Sequence, residues 1–121
     1  MKFLSSLTLT MGLLATAPGV MATDTVTVQL ANDKSGANAN VKVPTDGSKI
    51  PIQALWDKTP VSENEVVSAS SAQLTKFEQS TECKIVQRHP SVEASLDAKQ
   101  TWTWLAGGKV VELGRAFISC H

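Results

Sequence analysis

Thr25-Val26-Thr27-Val28-Gln29-Leu30 alternates polar and apolar side chains at every step. A period of two puts Val26, Val28 and Leu30 on one face of an extended chain and Thr25, Thr27 and Gln29 on the other. Its β-branched residues suit a pleated, half-buried surface. Turn formers run from Asn32 to Asn38, after which Ala39-Asn40-Val41-Lys42-Val43 resumes the alternation. Together the two runs predict a first hairpin with a long loop, closed by Pro44 and Asp46-Gly47.

Further along, the same reading yields more strands. Pro51 suits the first position of a helix, and Ile52, Leu55 and Trp56 stand at i, i+3 and i+4, so one helical turn is expected between Ile50 and Trp56 before Pro60 ends it. Ser62-Glu63-Asn64-Glu65 has the form of a capping box, which would start a helix through Leu74. The β-branched and serine residues of Val66 to Ser71 oppose helix, and a strand is predicted there. Lys76-Phe77-Glu78 is ambiguous. Glu82 to Arg88 alternates, with Cys83, Ile85 and Gln87 on one face and Val86 on the other, and His89-Pro90 stops it. Val92, Ala94 and Leu96 alternate with Glu93 and Ser95. Thr101 to Leu105 and Lys109 to Leu113 flank Ala106-Gly107-Gly108 and predict a hairpin, because a Gly-Gly pair accepts the positive φ such turns demand. Gly114 is expected as a bulge, with Ala116 to Cys120 as the last strand. Strands this closely spaced, with little helix, define an all-β chain: a small antiparallel β-sandwich or barrel with at most one or two short helical turns.

Upstream of these strands, Met1-Lys2, the apolar run Phe3 to Leu14 and the closing Val20-Met21-Ala22 have the three-part layout of a secretory signal peptide, residues 1–22. Pro18-Gly19 breaks the run before it reaches the about 20 apolar residues of a membrane span. The expectation is therefore an extracellular protein whose mature part, residues 23–121, is one domain starting at Thr23. The chain carries eleven Lys and Arg against eleven Asp and Glu, so the mature part, without Lys2, has ten against eleven. Near neutrality with mixed signs excludes the electrostatic footprint of a nucleic-acid binder, and no mature segment is long and apolar enough to span a bilayer.

Cys83 and Cys120 are the two cysteines. In an oxidising compartment an even number favours one disulfide, the alternative being two free thiols. The bridge would close a loop of about 38 residues, worth about 4 kcal/mol in the chain-entropy model.

Few residues offer chemistry. Trp102 and Trp104, two apart on a strand, share a face. They form either an aromatic platform for a sugar ring or part of a core otherwise poor in aromatics, and the composition favours the core. Asn32, Asp33 and Asp46 could offer oxygens to calcium, but no spaced calcium signature accompanies them, and they are read as turn formers. His89 and His121 lack metal-ligand spacing. There is no nucleophile elbow, and the acids fall where solvated charges belong. No catalytic residue, cofactor or metal ligand is assigned, and a domain this small is expected to lack a deep enclosed pocket.

The run Val28 to Ala39 resembles the opening of a family of small fungal secreted proteins described as hypersensitive-response-inducing elicitors. Ala69-Ser70-Ser71-Ala72-Gln73-Leu74, the strand around Cys83 and the closing Ile118-Ser119-Cys120 agree with it in order. The resemblance implies secretion into the plant apoplast, perception by a host receptor or apoplastic protein, local cell death and defence, and a role in virulence. It also implies the pairing of Cys83 with Cys120 and a compact β architecture, and it brings no catalytic residues. The competing expectations are a carbohydrate-binding module for cell-wall polysaccharide, resting on Trp102 and Trp104, and an inhibitor of host hydrolases.

Overall fold

The computed structural model describes residues 24–121; the expected signal peptide, residues 1–22, lies outside them. The alternating run from Thr25 forms β1 (Thr25–Asn32), paired antiparallel with β2 (Ala37–Pro44). Val26, Val28 and Leu30 are fully buried, as their period of two requires. The loop is shorter than expected, because both strands run into the turn-forming segment. Asn32 makes this feasible: its buried side-chain oxygen accepts from the amides of Lys34 and Ser35 at 3.0 and 3.1 Å, and Gly36 closes the turn at φ +81°.

The antiparallel strands form three sheets. The first has the order β2-β1-β6-β9, with β6 at Ser71–Lys76 and β9 at Trp102–Trp104. The second has the order β3-β11-β7-β8, from Ile50–Pro51, Phe117–Cys120, Glu82–Gln87 and Val92–Asp97. A small third sheet, β10-β5-β4, is built from Val111–Glu112, Val66–Ala69 and Ser62–Glu63. The two larger sheets make a small sandwich: β8 touches β6 and β9, and β11 touches β2. Their inner faces bury Val26, Val28, Leu30 and Leu74 from one side and Ile85, Leu96 and Ile118 from the other. The sequence expectation of an all-β fold holds.

The helical turn is α1 (Ile52–Trp56), which buries Ile52 and Trp56. Pro51 stands one position earlier than expected, as the N-cap with extended backbone. The Trp56 indole is fully buried and donates to the Ala39 carbonyl at 3.0 Å, satisfying its one polar atom inside the core. The strand reading of Val66 to Ser71 holds, and the capping box starts no helix. Asn64 and Glu65 instead form a two-residue hairpin turn between β4 and β5, with φ of +52° and +67°.

Two expectations are corrected. Thr101 to Leu105 and Lys109 to Leu113 do not pair with each other. Trp102, Thr103 and Trp104 pair with Gln73, Ala72 and Ser71 of β6, and Val111 and Glu112 pair with Ala69 and Ser68 of β5. β5 and β6 form one arm joined at buried Ser70, whose carbonyl accepts from Leu105 at 3.0 Å. The downstream segment lies along this arm and loops out residues 106–110. Gly107 and Gly108 do take positive φ, +66° and +97°, but in that excursion and not in a hairpin. Gly114, expected as a bulge, lies in the turn between β10 and β11, where the Ala116 amide donates to the Leu113 carbonyl at 3.1 Å.

Candidate functional site

The outer face of β7 and β11 carries a broad depression. Val86 and Phe117 are direct cross-strand partners, and both point outward, 42% and 46% exposed. They face solvent because Ile85 and Ile118, one position away on each strand, point to the core. Around them a cavity of about 590 Å³, open to solvent, is lined by Lys49, Lys84, Arg88 and Arg115, with His89 and Ser119 completing the rim. An enclosed pocket was not expected of this domain. The depression avoids that limit by lying on a sheet face.

Charge is unevenly placed. Residues 24–121 hold ten Lys and Arg and eleven Asp and Glu, the chain's eleven of each less Lys2. Four of those cations line the depression, and none of the acids does. Glu93 is the nearest counter-charge, 3.6 Å from the Lys84 ammonium in an exposed pair, which solvent screens.

Three devices hold this face in place. Cys83 and Cys120 sit opposite each other on β7 and β11 and form the disulfide, so the expected pairing is present. Glu82 and His121 exchange both backbone hydrogen bonds, at 2.8 and 2.9 Å, which makes the cysteines the next, more closely spaced pair, Cα to Cα 4.1 Å. The second device is Gln87, 5% exposed and fully paired. Its amide nitrogen donates to the carbonyls of Pro90 and Glu112 at 2.8 and 2.9 Å, and its oxygen accepts from the Arg115 amide at 3.0 Å. One side chain thereby ties the turn after Arg88 to the turn that carries Arg115. Thirdly, the Gly47 amide donates to the Cys120 carbonyl at 2.9 Å, setting Lys49 beside β11. Asp46 braces this loop by accepting from Ser48, whose hydroxyl and amide hold its carboxyl below the ordinary value of 3.8.

Trp102 and Trp104 lie on the other large sheet, on the outer face of its edge strand β9. The core assignment favoured by composition is therefore corrected: they are 42% and 43% exposed. Their partners put Gln73 beside Trp102 and Ser71 beside Trp104, with Gln29 and Ala31 in the next strand. The rings meet edge to face, centroids 4.7 Å apart and planes inclined 71°, so they do not form one flat platform. Gly108 lies 3.8 Å from the Trp104 ring, measured from where a Cβ would stand.

Of the other candidates, Asn32 and Asp46 spend their oxygens on local turns, and His89 and His121 stand at separate places, one on the depression's rim and one opposite Glu82, 3.5 Å from its carboxylate. Among the described residues, no group of three or more His, Cys, Asp or Glu could hold a metal ion. Nor is any described helix long and apolar enough to cross a membrane. Sequence reasoning missed the depression, although one signal was available. The alternation puts Val86 on the face opposite Cys83, Ile85 and Gln87, and Lys84 and Arg88, two residues to either side, share that face. No protein-family model, curated protein or solved structure matches the chain.

Proposed function

We propose that this is a secreted recognition protein, an elicitor or effector of the fungal kind its sequence resembles, perceived in the plant apoplast by a host receptor or apoplastic protein. It acts by presenting a surface and not by catalysis. The observation that carries the reading is the Phe117–Val86 face, where apolar and cationic side chains stand on two strands that a disulfide joins three residue pairs further along. A face ordered before contact loses little conformational entropy on binding, and a disulfide is compatible with an extracellular setting. The test is infiltration of the disulfide-bonded protein into leaves at micromolar dose. Cell death, an oxidative burst and defence-gene induction are expected, and all three should weaken with Phe117→Ala. A host panel that shows none of these responses refutes the proposal.

A second reading, a module for neutral cell-wall polysaccharide, is favoured by the exposure of Trp102 and Trp104 beside the amides of Gln73 and Gln29. Pull-down on chitin, cellulose and glucan separates the two: retention lost with Trp102→Ala supports the module, and absence from every pellet removes it.

A further inference from the structure

We propose that the depression on β7 and β11 binds a short acidic oligosaccharide of the uronic-acid type. The site is distinct from the Trp102–Trp104 face and independent of whether a host perceives the protein. Two observations select the ligand. Lys49, Lys84, Arg88 and Arg115 surround a volume of about 590 Å³ without a lining carboxylate, in a protein whose overall charge is balanced. Such a patch calls for more than one negative charge on a single ligand, and for a ligand short enough to stay on it. The floor is Phe117 with Val86, apolar and exposed, against which the C–H face of a sugar ring can lie.

Competing chemistries fit less well. The floor is the face of a hydrogen-bonded sheet, with β11 paired on both sides by β3 and β7. An acidic peptide would find no free backbone groups there to pair with. An acyl chain would stay largely wet, since two apolar side chains in an open depression cannot enclose it. A uronic-acid oligomer needs neither device, because its carboxylates meet the cations, one ring covers Phe117 and its hydroxyls remain in water. Gln87, which also borders the depression, acts here as a positioning residue: its side chain fixes the backbone of Arg115 and of the turn after Arg88.

The experiment is an amide-shift titration of the isotopically labelled, disulfide-bonded protein with trigalacturonate at low salt. Shifts are expected at Lys84 to Arg88, Arg115 to Ser119 and Lys49, saturating in the range of about 0.1–1 mM and fading as ionic strength rises. Cellotriose, of equal length without carboxylates, should bind at least about tenfold more weakly. The double substitution Lys84→Gln/Arg115→Gln changes only exposed side chains and should weaken trigalacturonate about tenfold. Phe117→Ala should weaken it independently of salt, and Trp102→Ala should leave it unchanged. Equal binding of cellotriose overturns the proposal, as does indifference to the double substitution. Shifts centred on Trp102 and Trp104, or none at about 10 mM trigalacturonate, do the same. Tighter binding of a Glu-rich hexapeptide or of adenosine monophosphate would reassign the cations to an acidic peptide or a phosphate and likewise overturn it.

Discussion

Glu65 occupies a backbone conformation better suited to glycine. With φ at +67°, its Cβ crowds the following carbonyl, a cost of about 1–2 kcal/mol that glycine escapes. Its neighbour Asn64, at +52°, is of a residue type that enters this region more readily than most. Glu65 is exposed, so its side chain contributes little packing to offset the strain. Glu65→Gly would create the Asn-Gly pair that two-residue hairpins favour. It is expected to stabilise the domain by about 1 kcal/mol in urea denaturation, and an unchanged or lowered midpoint would contradict the turn geometry. Single residues also mark the limit of composition as evidence. The scarcity of aromatics favours a core place for Trp102 and Trp104, yet among the described residues Trp56 supplies the one large buried ring and Val, Leu, Ile and Ala fill the rest. Periodicity showed that the two tryptophans share a face, but could not say which side of an edge strand that face is on.

At the scale of elements, alternation was legible wherever one face meets the core and the other meets water. β1, β7 and β8 follow it residue by residue, and Val86 does lie on the face opposite Cys83, Ile85 and Gln87. Partner choice was not legible around Gly107-Gly108. A Gly-Gly pair reports positive φ, and so a change of direction, without naming the strand that each arm joins. Here both arms add to β6 and β5, separated by more than thirty positions in sequence register, through Trp104 with Ser71 and Val111 with Ala69. The depression was illegible for a related reason, since its floor exists only once β11 and β7 are side by side. Gln87 shows how such distant pieces are held. Truncating it to Ala leaves the Arg115 amide and two carbonyls without their partner in a part-buried site. The expected cost is about 2–3 kcal/mol, read from urea midpoints. Amide shifts should concentrate at Pro90's neighbours, Glu112 and Arg115. Uniform shifts across the domain, or a loss under about 0.5 kcal/mol, would show that Gln87 is not the tie.

For the whole molecule, the disulfide decides how firmly the last described strand is held. β11 is central to its sheet, flanked by β3 and β7, so β3 and the loop bearing Lys49 depend on it. Yet β11 spans only Phe117–Cys120. Cys83 and Cys120 are separated by 37 positions, and closing a loop of that length removes about 4 kcal/mol of unfolded-chain entropy. A domain of about 100 residues is stable by only about 5–15 kcal/mol. Cys83→Ser/Cys120→Ser should therefore cost about 2–5 kcal/mol in denaturation. Entropy alone would lower protection evenly, but the architecture predicts an uneven loss. Hydrogen exchange should accelerate first at Ile118 and at Gly47, whose amide rests on the Cys120 carbonyl. The β1–β2 ladder, with Val28 facing Val41 and Leu30 facing Ala39, should follow only the global change. If β1 and β11 lose protection equally, the bridge acts through the unfolded chain alone. If β11 opens first, it is also the clamp that keeps Phe117 and its ring of cations assembled.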